Sequence, residues 1–128
     1  MAATPEQIRA TVDGYVAAYK ANDRDGLLEL FAPDTEWTDP VGTPTHHGRE
    51  GVGAFWDTTR SMADSIELRP VHVHVCGNEA VLVMEIHTVV GGAVIVLDAV
   101  DVFTFDDDAR IQSGRAYWEL EKARSGPS

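Results

Sequence analysis

A chain of 128 residues with a formal net charge of −11 has room for one domain around a single core, and that charge repels phosphate backbones and anionic membrane surfaces. With 44% hydrophobic and 24% charged residues, and Gly and Pro evenly spread, the composition is that of a folded chain. It has no apolar run long enough to span a bilayer, so nucleic acid and membrane are set aside as partners.

The start, MAATPEQIRA, lacks the basic start and long apolar stretch of a secretory leader. Thr4-Pro5-Glu6-Gln7 is a helix start, with Thr4 as cap, Pro5 at the first helical position and Gln7 closing a capping box. Ile8, Val12, Tyr15, Val16 and Tyr19 then recur at helical spacing, which places Tyr15 on the inward face. A short second helix lies in DRDGLLELF and ends before Pro33. TEWTD reads as a brief strand leading into the loop PVGTPTHHG. A third helix, about Arg49 to Ser61, carries Val52, Phe55, Trp56 and Thr59 on one side.

From about Ser65 the period changes to two. Strands are expected at residues 71–75, 80–90, 93–105 and 110–120, joined by hairpin turns at Gly77-Asn78, Gly91-Gly92 and Asp106-Asp107-Asp108. Cys76, the single cysteine, fits a reducing cytoplasm and reads as a buried, inert thiol at the end of an apolar run. Residues 1–128 form one domain, ordered over about 4–121, with 122–128 a flexible tail. The plan is α+β, three N-terminal helices on one face of a curved, mainly antiparallel sheet whose mouth can hold a ligand.

Three polar side chains stand where the pattern predicts burial. Tyr15 faces inward from the first helix. Asp39 is presented by the extended backbone that Pro40 imposes on it. In VIVLDAVDVFTF, Asp101 shares a strand face with Leu97, Ala99, Phe103 and Phe105, where a charged carboxylate is costly and needs a partner, a proton or a task. Asp98 lies on the opposite face among valines, where pairing at a strand edge or a subunit contact suffices.

These residues carry a resemblance. YVAAY, DGLLELFAPD, DPVG and VDVFTF, with FW at 55–56 and RAYW at 115–118, resemble bacterial ketosteroid isomerases (steroid Δ-isomerases) from about Thr4 to Trp118. The resemblance implies an NTF2-like cone and an isomerase that moves a double bond of a Δ5-3-ketosteroid into conjugation through a dienolate. It implies Asp39 as general base, with Tyr15 and a protonated Asp101 donating hydrogen bonds to the substrate oxygen. It implies no metal or cofactor, a steroid as substrate, and a homodimer. Val16, Phe55, Trp56, Leu82, Met84, Phe103 and Trp118 are the candidates for an apolar substrate pocket.

Two positions depart from the pattern. Trp56 stands where well-known members have a tyrosine, and is expected to donate one hydrogen bond to the Tyr15 oxygen. Gly114 stands where methionine is common, and is expected to widen the pocket. His46 and His47 are expected on an exposed loop. They leave open a polyketide cyclase or dehydratase working with Asp39, while the fold equally admits a non-catalytic steroid- or small-hydrophobe-binding module. His72, His74 and His87 read as decoration of an outer face or a dimer contact rather than a metal site.

Overall fold

A computed structural model describes residues 1–126. Helix α1, Pro5–Ala21, begins at the expected capping box: Gln7 N donates to Thr4 Oγ1 at 3.2 Å and Thr4 N donates to Gln7 Oε1 at 2.9 Å. Such a cap stabilises a helix end by about 1 kcal/mol. Its buried face is Ile8, Thr11, Val12, Tyr15, Ala18 and Tyr19. Asn22 stops the helix in the left-handed region, at φ 54°. Helix α2, Arg24–Glu29, is capped by Asp23, which accepts from Gly26 N at 3.0 Å.

Strand β1, Phe31–Thr38, is longer than TEWTD suggested, because Phe31 and Ala32 are buried core residues. The two-residue β2, His46–His47, pairs with it, and α3, Gly48–Ser61, follows. Strands β3 (Ser65–Cys76), β4 (Glu79–Val90), β5 (Ala93–Phe105) and β6 (Ile111–Tyr117) form an antiparallel meander. The sheet order is β2-β1-β6-β5-β4-β3, mixed and unclosed because β1 runs parallel to β6. The helices pack on its inner face.

β3 starts at Ser65, earlier than the expected 71, with Pro70 inside it. Pro70 sits where the register shifts on an edge strand, the setting in which a sheet tolerates proline. Cys76 is exposed rather than buried, since it is the last residue of β3 before the turn. His72 and His74 are also exposed, with rings 6.0 Å apart, while the buried His87 pairs with Glu85 at 2.9 Å. The three histidines do not converge on one site.

The segment read as a tail carries a 3-10 turn, Leu120–Lys122, and a short β7, Arg124–Ser125, paired with β5. Arg124 bonds both Asp98 and Glu85 at 2.9 Å, bridging two carboxylates that face each other across β4 and β5. The outer Val96 is thereby buried in part by the chain's own end, where Gly126 lies against Val94 and Val96. Pro127 and Ser128, also read as tail, lie outside the described residues. Among the described residues no helix is long and apolar enough to cross a membrane.

Candidate functional site

β1 carries Trp37 to the interior, and Asp39 lies two residues on, past the strand end. Both Asp39 oxygens accept from indole nitrogens: Trp118 Nε1 donates to Oδ1 at 2.7 Å and Trp37 Nε1 to Oδ2 at 3.2 Å. Part of the residue remains exposed, yet the density around its carboxylate raises its pKa. The two indole bonds and the nearby His46 pull it back down. A carboxylate in that balance is a stronger base than a free one. Trp118→Phe removes the shorter bond and leaves the desolvation. The Asp39 carboxyl is then expected to titrate at higher pH than in the native chain, which side-chain carboxyl NMR against pH measures directly.

α1 delivers Tyr15 and β5 delivers Asp101, which stands between Leu82 of β4 and Ala116 of β6 in the sheet register. Tyr15 Oη donates to Asp101 Oδ2 at 3.2 Å, with Tyr15 3% and Asp101 1% exposed. Burial, and then the charge of Asp39, hold the Asp101 pKa well above the carboxylate range, with the Tyr15 bond opposing. Burial likewise raises Tyr15, followed by the charge of Asp101. Burial thus favours the protonated form of both groups. Oδ1 of Asp101 has no partner among the described residues, so a buried carboxylic acid has hydrogen-bonding capacity left for a ligand oxygen.

The folded protein holds on Asp101 a proton that the unfolded chain gives up. The folded state therefore loses stability as pH rises from the ordinary carboxylate pKa towards the raised one. Asp101→Asn removes that dependence. It is expected to raise Tm at neutral pH relative to the native chain, with a gain that widens by at most about 1.4 kcal/mol per pH unit in that window. Urea titrations at several pH values test the slope.

Of the expected pocket residues, Leu82, Met84 and Phe103 are fully buried on the inner face. Phe103 packs edge-on to Tyr15, with ring centroids 5.3 Å apart. Trp118 binds Asp39, and the half-buried Phe55 lies 5.0 Å from the His46 ring. Val16 is half-buried and packs against the core.

Two expectations are corrected. Trp56 does not donate to Tyr15; it tilts against Tyr19 with ring centroids 4.8 Å apart, and the Arg60 guanidinium lies 4.5 Å over its ring. The tyrosine one helical turn after Tyr15 takes up that indole instead. Gly114 does not widen the pocket, because the Trp37 ring fills the space beside it and a methyl group at 114 would overlap Cζ3 and Cε3 of that ring. Trp37 itself was not picked out from the sequence. Its two-residue offset from Asp39 was the available signal, since strand periodicity puts both on one side.

His46 acts on Asp39, whereas His47 is exposed and lies 4.0 Å from Glu36, away from the site. A cleft of about 530 Å³ lined by Pro40, Val41, Asp98, Tyr117, Trp118, Glu119 and Lys122 reaches Trp118 from outside.

Residues 12–113 match the SnoaL-like domain. The chain belongs to the SnoaL-like family. A relative of this SnoaL-like chain, the steroid Delta-isomerase of Nocardioides simplex, is 30% identical over 112 residues, 88% of this chain and 89% of the relative. Among solved structures, SalBIII, an epoxide hydrolase/cyclase-like enzyme in pyran ring formation in the polyether salinomycin, superposes with a TM-score of 0.86. It is 20% identical and the match covers 94% of this chain and 97% of that one. A Mycobacterium tuberculosis protein gives 0.85 at 23% identity over 96% and 98% of the two chains. The three-helix cone with an open mixed sheet is therefore the SnoaL-like, NTF2-like fold.

Proposed function

We propose that this SnoaL-like protein is a steroid Δ-isomerase, which conjugates the double bond of a Δ5-3-ketosteroid by moving one proton within the substrate. Asp39 takes the proton from the carbon between the ketone and the isolated alkene, and returns it to the far end of the dienolate. Tyr15 turns its single O–H from Asp101 Oδ2 to the oxygen on which negative charge gathers, and protonated Asp101 donates to the same oxygen from the unpartnered Oδ1. Donors set in place before the reaction favour that state over the neutral ketone.

The observation that carries this reading is the hydrogen-bonded pairing of a buried Asp101 with Tyr15, together with an indole-held Asp39 whose charge helps to raise the Asp101 pKa. The steroid isomerase relative supports it. The test follows growth of conjugated-enone absorbance from a Δ5-3-ketosteroid with purified protein. Turnover supports the reading, and its absence at high enzyme concentration overturns it.

His46, whose charge lowers the Asp39 pKa, favours a second reading in which the pair serves a cyclase or dehydratase. His46→Ala that abolishes a reaction on a polyketide-type ketone while sparing steroid binding would favour it. As a further part of the proposal the protein is a homodimer through the outer sheet face, where Val81, Val83, Val100 and Val102 are half-buried and Tyr117 is exposed. Sedimentation at micromolar concentration tests that assembly.

A further inference from the structure

We propose that Trp37 is the specificity-determining residue of this site and limits the size of ring system that reaches Asp39, Tyr15 and Asp101. The inference rests on the isomerase reading and adds that the site takes a steroid's fused rings less tightly than its polar groups alone would allow. One edge of the indole donates to Asp39 Oδ2 at 3.2 Å, while its rings stack on Phe103 at 5.8 Å and tilt against Tyr15 at 6.0 Å. Phe31 closes on it edge-to-face at 5.7 Å. The residue is 1% exposed. The side chain therefore fills space bordered by the base on one side and by the oxyanion donors' neighbours on the other. A ligand meeting all three polar groups meets the indole as well.

Gly114 is what allows this arrangement. In β6 it lies opposite Trp37 of β1 and Phe103 of β5, and any side chain there would occupy the volume that the benzo ring now takes. The pair is a size exchange, a large residue on one strand matched by none on the next. It leaves the sheet packed but places the bulk beside the base, where it restricts what approaches Asp39. A single-ring ketone needs little of that space. A fused tetracycle needs more, and pays by moving a ring that is packed on four sides.

The experiment compares two ligands that mimic the charged oxygen, phenol and a phenolic four-ring steroid, by calorimetry on the native chain, Trp37→Val and Trp37→Phe. Trp37→Val is expected to tighten the four-ring ligand by about tenfold or more relative to phenol, and Trp37→Phe by a smaller factor. Circular dichroism and Tm identify any variant that fails to fold. Should Trp37→Val be lost, the ratio in Trp37→Phe carries the test. The same ratio in all folded proteins, or a fall in it, overturns the size limit while leaving the isomerase reading intact. Binding of neither ligand to any of the proteins overturns both.

Discussion

Asp39→Asn is expected to lower kcat on a Δ5-3-ketosteroid by about 10²- to 10⁴-fold, the usual contribution of a positioned general base. Asparagine preserves the shape but offers one carbonyl oxygen and an amide. In the native site both carboxylate oxygens accept from indoles, Trp118 at 2.7 Å and Trp37 at 3.2 Å. In the variant the amide N–H must face one of those donors, so one bond is lost along with the basicity. Tyr15 and Asp101 are untouched, and removing the Asp39 charge removes one of the causes that raise their pKa values. A phenolic ligand should therefore bind at least as strongly. Enone formation and ligand binding measured on the same preparation separate the two effects. A loss in kcat of less than tenfold would remove Asp39 from the chemistry.

Gly114→Ala is the second large effect, and it acts on stability. The added methyl falls on the Trp37 ring, which Phe31, Tyr15 and Phe103 prevent from retreating. Overpacking in so closed a setting is expected to cost about 3 kcal/mol and to lower Tm by on the order of 10 °C. Combining it with Trp37→Leu should recover much of the loss, because the collision partner is gone. Chemical denaturation of the two single variants and the double variant gives the coupling. Additive losses would show that the two positions do not share one volume.

Much of the architecture could be read before any coordinates. Thr4, Pro5 and Gln7 announce α1 through local hydrogen bonding alone, and the alternation in β4 and β5 assigns Asp101 to the inner face because strand periodicity is strict. The features that escaped are those set by partners distant in sequence. Phe31 and Ala32 join β1 because β6, eighty residues later, offers a parallel edge. Cys76 belongs to an apolar run by composition, but its place at the mouth of a hairpin exposes it. In the site, Tyr15, Asp39 and Asp101 could be singled out as polar groups in apolar company. Trp37 offered only its two-residue offset from Asp39, since a tryptophan in a strand looks like ordinary core until Gly114 and the Asp39 carboxylate are seen beside it. Trp56 misled for the converse reason. Its position suggested a bond to Tyr15, but Tyr19 and Arg60 compete for the same indole.

The two indoles that cap Asp39 bear on the fate of the hydrogen it carries. With both oxygens turned to N–H groups, the carboxyl must open one of those bonds before it can trade its hydrogen with water. A deuterium placed on the ketone's activated carbon should therefore reappear largely at the product's new C–H bond, with little washed into the medium.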